Sequence, residues 1–201
     1  MTIAVIDYGA GNVPSVERVL ERLGAASRRA CRPAELALAT AIVLPGVGHY
    51  AAIIRALDER SLRAPLLDAI CRGVPFLGVC LGLQALYSSS DEAPELSGLG
   101  VLPGRIRSLP HDVKLPHMGW NRLRMQGASA LLQGLCESDY FYFAHTFAAV
   151  EPIDAPVATC EYGTPFTAVL ERGRLFATQF HPEKSGAAGA RLLHNFLRLA
   201  A

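Results

Sequence analysis

The hydrophobic positions of this chain change their period partway along. Ile3 to Asp7 reads as a short strand, closed by Tyr8-Gly9-Ala10-Gly11-Asn12. From Val13 to Leu23 the apolar residues Val16, Val19, Leu20 and Leu23 recur at helical spacing. Asn12 stands where an N-cap belongs, Pro14 falls in the first turn, and Gly24 is the stop. A weaker strand–helix unit follows, Ser27 to Cys31 and Pro33 to Ala39. Ala41 to Leu44 is a third strand, broken by Pro45-Gly46-Val47-Gly48. Leu62 to Cys71 patterns as an amphipathic helix ended by Gly73, Val74 to Val79 as a buried strand, and Leu81 to Tyr87 as the helix after it. Such alternation predicts a mostly parallel sheet with helices on both faces.

After about Ser88 the pattern turns to short β segments. Ser88 to Gly100 is a polar loop bearing glycine and proline. Strands are expected at Val101 to Leu109, His117 to Arg124, Tyr140 to Phe147, Val157 to Glu161, Phe166 to Leu170 and Leu175 to Phe180. Several should pair antiparallel through turns such as Glu171-Arg172-Gly173, and a helix from Ala187 to Leu199 closes the chain. No repeat is visible and no linker is long enough to separate two units. The reading is α/β: one domain over residues 1–201, with a mixed, mostly parallel sheet and an antiparallel, β-rich second half.

Composition narrows the function classes. A chain of 201 residues that is 51% hydrophobic can bury a full two-sided core. A net charge of +1 leaves no footprint for nucleic acid or an anionic membrane, and Arg28-Arg29 reads as a solvated turn. No apolar run reaches membrane-spanning length, and Met1 to Asp7 lacks the basic start of a signal peptide. The five cysteines (Cys31, Cys71, Cys80, Cys136, Cys160) are odd in number, widely spaced and without a CxxC pair. Disulfides and a zinc site are therefore not expected, and a reducing cytoplasm is. The remaining question is which thiol reacts.

Gly78-Val79-Cys80-Leu81-Gly82 answers it, because it sits where a strand turns into a helix. This is the cysteine form of the nucleophile elbow, whose glycines permit a tight turn that lifts the sulfur to a helix N-terminus. The dipole there favours thiolate, and the Leu81 amide would face the oxygen of a tetrahedral intermediate. Cys31, Cys71, Cys136 and Cys160 lack the paired glycines and read as buried structural cysteines. His181, in Gln179-Phe180-His181-Pro182-Glu183-Lys184-Ser185, falls at a strand end, where catalytic groups of α/β sheets collect. It can serve as base and then acid, with Glu183 two residues on as its orienter. The other histidines (His49, His111, His117, His145, His194) are not at metal-ligand spacing. Gly9-Ala10-Gly11 invites a dinucleotide-binding reading, but Pro14 stands where the third glycine is required. Pro45-Gly46-Val47-Gly48 reads as a loop that offers a backbone amide to the oxyanion.

Five segments carry a family resemblance: Ile6 to Asn12, Leu44 to Gly48, Gly78 to Gln84, Pro116-His117-Met118-Gly119-Trp120-Asn121, and Gln179 to Ser185. Together they resemble the class I, triad-type glutamine amidotransferases, which have a flavodoxin-like sheet. More narrowly they resemble the glutaminase subunits of imidazole glycerol phosphate synthases of histidine biosynthesis. The resemblance implies a Cys80–His181–Glu183 triad that hydrolyses glutamine, with no cofactor and no metal. It implies an oxyanion hole from the amides of Val47 and Leu81, the former after the Pro45–Gly48 loop rearranges. It also implies substrate contacts from Gly48, Gln84, Glu92, Thr146 and Phe147. Ammonia would pass to a (β/α)8-barrel cyclase subunit, bound as a heterodimer through Asn12, Met118, Trp120, Asn121 and Lys184. One segment departs from the family pattern: Ala144-His145-Thr146-Phe147 stands where Val-His-Ser-Tyr is usual, so Phe147 lacks a hydroxyl. The rival readings are another class I amidotransferase, a cysteine hydrolase of an unrelated pathway, and a non-catalytic subunit. The Met118 to Asn121 segment counts against the first, His181-Pro182-Glu183 against the second, and the presence of all three triad residues against the third.

Overall fold

The computed structural model describes residues 2–151 and 156–201; Met1, at the head of the expected first strand, lies outside them. The first half alternates as the periodicity predicts. It runs β1 Ile3–Ile6, α1 Val13–Arg22, β2 Ser27–Ala30, α2 Pro33–Leu36, β3 Ala41–Gly46, α3 Tyr50–Glu59, α4 Arg63–Cys71, β4 Phe76–Cys80 and α5 Leu81–Gln84. Short strands follow: β5 Tyr87–Ser90, β6 Leu102–Ser108, β7 His117–Arg122, β8 Arg124–Met125, β9 Tyr140–His145 and β10 Phe147–Ala148. Then come β11 Pro156–Tyr162, β12 Thr164–Arg172, β13 Leu175–Thr178, a 3₁₀ turn Pro182–Lys184, and α6 Gly186–Ala200.

Eight strands form one sheet in the order β2-β1-β3-β4-β13-β12-β11-β8. The five from β2 to β13 are parallel, and the pairings from β13 to β8 are antiparallel. β12 returns to β13 through the expected turn, Arg172 facing Leu175. β1, β3, β4 and β13 are buried at every residue because apolar layers cover both faces. One layer is built from Val16, Val19 and Leu20 of α1 with Leu192 and Phe196 of α6. The other is built from Ile53, Ile54 and Leu57 of α3, Leu66 of α4, and Tyr87, Leu102 and Ile106 of β5 and β6. Small sheets β10-β6-β5 and β7-β9 flank the main one.

Several expectations are corrected. The helix after β4 stops at Gln84, not Tyr87, because Tyr87 turns into β5 and fills the second core layer. The Ser88–Gly100 stretch is therefore strand at its start, where β5 pairs parallel with β6. β3 runs on through Pro45 and Gly46 beside β4, where the proline was expected to break it. Leu123 and Thr146 each interrupt what was expected to be a continuous strand. α3 was not anticipated, although Tyr50, Ile53, Ile54 and Leu57 have the spacing of a buried helical face. Arg28 and Arg29 lie in β2, not a turn. Asn12 precedes α1, but its side chain makes no capping bond.

Candidate active site

Parallel pairing brings the candidate groups to one end of the sheet. β4 lies between β3 and β13, so Gly46 is level with Cys80 and Thr178 with Val79. The chain beyond β13 then delivers His181 to the same carboxyl edge. The turn at Cys80 is strained, with φ 54° and ψ −107° on a residue that has a side chain. Glycines make room for it. A Cβ on Gly82 would stand 2.0 Å from the Leu44 carbonyl oxygen, and one on Gly46 2.6 Å from the Leu81 Cβ. Gly78 has the Gly82 carbonyl oxygen 2.8 Å from where its Cβ would be. Strand and helix can approach this closely only without side chains at those positions.

His181 is buried, and its Nδ1 lies 2.9 Å from Glu183 Oε1. Burial by itself would push the His181 pKa down. The negative charge and hydrogen bond of Cys80, together with Glu183, outweigh it and hold His181 at about 10. His181 is thus held in its protonated form between the sulfur and the carboxylate. Burial would raise the Glu183 pKa, but the bonds from His181 and Asn12 hold it below the usual carboxylate value. Asn12 donates from Nδ2 to the same Oε1, at 3.0 Å. Glu183 Oε2 is buried without a partner among the described residues.

A cavity of about 320 Å³ opens above the sulfur. Val47, Gly48, Cys80, Leu81, Gln84, Glu92, Thr146, Phe147 and His181 line it, as do Met118 and Lys184. Glu92 caps α3, accepting from the Tyr50 amide at 2.7 Å. Gln84 donates from Nε2 to the Phe147 carbonyl at 2.7 Å and to Gln179 Oε1 at 3.2 Å. Its two amide hydrogens are thereby used, and its oxygen remains for a ligand. Tyr8 is buried beside the Pro45–Gly48 loop, burial raises its pKa, and its hydroxyl has no hydrogen-bond partner among the described residues.

Trp120 and Met118 are 56% and 65% exposed, so the lone tryptophan is a surface residue, not a core one, two positions along β7 from cavity-lining Met118. Trp120 meets Tyr142 edge to face at 5.8 Å, and the Lys184 ammonium lies 5.8 Å from the centre of the Tyr142 ring. Asn121 is turned partly inward, its Nδ2 donating to the Glu161 carbonyl. Asn12, expected on the partner face with these, donates to the Glu183 carboxylate.

Three residues escaped the sequence reading. Gln179 donates from Nε2 to the Cys80 sulfur at 3.6 Å, and Ser185 joins the His181 carbonyl to the Tyr142 amide at 2.7 and 3.0 Å. Both lie in the segment that supplied the histidine, which was the available signal. Tyr142 had only the β9 alternation to mark it. The other cysteines are not uniformly buried either: Cys71 and Cys136 are exposed, and Cys31 is partly so. Only Cys160 fits the structural reading, with burial pushing its thiol up to about 12. Among the described residues no group of three or more His, Cys, Asp or Glu could hold a metal ion, and no helix is long and apolar enough to cross a membrane.

The chain has relatives in sequence and in fold. Residues 4–200 match the family model described as glutamine amidotransferase class-I. The chain is 45% identical over 201 residues to the imidazole glycerol phosphate synthase subunit HisH of Deinococcus radiodurans, covering 98% of this chain and 93% of that one. It is 46% identical to the HisH subunit of Methanothermobacter thermautotrophicus, covering 98% of both. A crystal structure of a glutamine amidotransferase has a similar fold, with a TM-score of 0.78 at 21% identity and 98% of each chain covered. The PurLQS structure from Thermotoga maritima also aligns at 0.78, with 19% identity over 98% of this chain and 97% of that one.

Proposed function

The chain belongs to the class I glutamine amidotransferase family, and from that premise we propose that it is the glutaminase subunit of an imidazole glycerol phosphate synthase in histidine biosynthesis. The observation that carries the chemistry is the buried Cys80–His181–Glu183 set, of which Cys80 and His181 line the cavity and Glu183 backs His181 from behind it. The HisH relatives, aligned over nearly the whole chain, support the pathway. Residues 1–201 act as one amidotransferase domain in the cytoplasm.

The Cys80 thiolate attacks the side-chain amide carbon of glutamine, and the C=O electrons move onto oxygen. The Leu81 amide, at the start of α5, has no helical acceptor and is free to bind that oxyanion. The Val47 amide joins it after the Pro45–Gly48 loop turns, as the family resemblance implies. His181 gives its proton to the nitrogen, the C–N bond breaks, and ammonia leaves a thioester behind. Water then gives a proton to His181 and attacks. The C–S bond breaks, thiolate is restored and glutamate departs. Glu183 holds Nδ1, which leaves Nε2 for the sulfur and the substrate. Gly48, Gln84, Glu92, Thr146 and Phe147 hold glutamine, with backbone contacts replacing any that a hydroxyl at Phe147 would make. The hydrolysis balances without a cofactor.

The partner is a (β/α)8-barrel cyclase subunit, docked on Met118, Trp120, Asn121 and Lys184 with Asn12 behind them. The apolar exposure of Trp120 and of cavity-lining Met118 on the same strand supports that surface. The test is glutamate release by the purified chain, alone and with a cyclase subunit and its nucleotide, with Cys80→Ala as blank. Strong stimulation, abolished in the variant, is the expected result. Cys80-dependent hydrolysis indifferent to the cyclase would remove the partner, and no hydrolysis in any mixture would remove the activity.

A further inference from the structure

Two buried histidines stand outside the triad. His117 of β7 and His145 of β9 face each other in the antiparallel pair, and His117 Nδ1 lies 3.0 Å from His145 Nε2. They are only 4% and 6% exposed. The His117 ring is stacked between Phe143 and Tyr162, at centroid distances of 4.8 and 4.0 Å.

Backbone groups at both ends decide where the protons lie. His145 Nδ1 is 2.9 Å from the Phe147 carbonyl oxygen, which can only accept, so Nδ1 carries the hydrogen. In the neutral ring Nε2 is then an acceptor, and His117 Nδ1 must donate to it. That leaves His117 Nε2 as an acceptor, and Asn121 Nδ2 stands 3.3 Å away to donate. The Asn121 amide is oriented independently: its Oδ1 accepts from the Arg122 amide at 2.8 Å, and its Nδ2 also donates to the Glu161 carbonyl at 3.1 Å. Every donor in the chain therefore has an acceptor in one proton arrangement. Adding a proton to either ring would set two N–H groups against each other. Burial lowers both pKa values in keeping with this, to about 4 at His117 and about 3 at His145.

The relay runs between two surfaces that matter. At one end the Phe147 carbonyl also accepts from Gln84, Gln84 bonds Gln179, and Gln179 donates to the Cys80 sulfur. At the other end Asn121 shares a strand with exposed Met118 and Trp120. We propose that Asn121, His117 and His145 are positioning residues, a single-tautomer relay that fixes the Phe147 carbonyl and ties the exposed β7 face to the glutamine cavity. The kinetic part of this rests on the glutaminase reading, whereas the proton order does not.

The test begins with long-range 1H–15N correlation of the full chain, ¹⁵N-labelled at histidine, with signals assigned by His117→Gln and His145→Gln. Both rings are expected as the Nδ1–H tautomer, unchanged from pH 8 to pH 6. An Nε2–H tautomer or an imidazolium at either residue at pH 7 would overturn the relay. Asn121→Asp puts an acceptor where the relay needs a donor. It is expected to change the His117 signal and raise KM for glutamine about tenfold, with kcat falling less than threefold. Asn121→Ser, which keeps a donor, is expected within threefold of the parent in both. Equal damage from Ser and Asp, or no change from Asp, would overturn the positioning role. A parent chain that hydrolyses no glutamine would defeat the functional reading and the kinetic half here, while the tautomers still decide the other half.

Discussion

Asn12 and His181 donate to the same oxygen, Glu183 Oε1, at 3.0 and 2.9 Å. The loop after the first strand is thereby joined to the turn after the last one. A hydrogen bond to a charged group is worth about 1.5–3 kcal/mol, and here it orients the carboxylate that orients the imidazole. Asn12→Ala is expected to lower kcat for partner-free, Cys80-dependent hydrolysis about tenfold with KM little changed. If Asn12 serves only the partner face, the partner-free rate will not move.

The close approach of β3 to α5 makes a second prediction. A Cβ on Gly82 would meet the Leu44 carbonyl oxygen at 2.0 Å, a backbone atom that cannot rotate away. Gly82→Ala is expected to cost about 3 kcal/mol or more and to abolish activity. Gly127→Ala, with open space around the position and no positive φ, should leave the melting temperature within a degree or two. Thermal unfolding of the two variants checks both.

Stability should depend on pH in opposite directions through different histidines. His117 and His145 have folded pKa values below the ordinary 6.5, at about 4 and about 3, chiefly through burial. The unfolded chain therefore binds protons that the fold refuses. Their contribution is complete above pH 6.5 and is lost as pH falls through 6.5 towards 4 and 3, by up to about 1.4 kcal/mol per pH unit for each ring. His181 is raised to about 10, so its contribution is complete below pH 6.5 and is lost as pH rises through 10. Urea unfolding at pH 7.0, 6.0 and 5.0 should show a slope that His117→Gln reduces.

Trp120 is expected to matter to association and not to folding. It is 56% exposed, packed only edge-on against Tyr142. Trp120→Ala should leave the melting temperature of the free chain unchanged and weaken binding of a cyclase subunit by about 2 kcal/mol, roughly thirtyfold. Titration of the partner by calorimetry measures it. Unchanged affinity would move the docking surface elsewhere.

What could be read along the chain was what depends on neighbours in sequence. Apolar runs marked β1, β3, β4 and β13, helical spacing marked α1 and α6, and paired glycines marked Cys80 as an elbow, because strand burial, helix amphipathicity and tight turns are local demands. His181 and Glu183 were legible together because only one residue separates them. Tertiary structure decided whatever depends on residues far apart. Asn12 had the place of a helix cap, yet the fold spends its amide on a carboxylate 171 positions away. Leu81–Tyr87 had helical character, but Tyr87 is worth more to the buried layer as the start of β5. His117 and His145 are 28 residues apart and had no metal-ligand spacing; only the register of β7 on β9 sets them in contact. A hydrogen bond's partner is chosen by three-dimensional proximity and by what burial leaves unsatisfied, and one-dimensional spacing records neither.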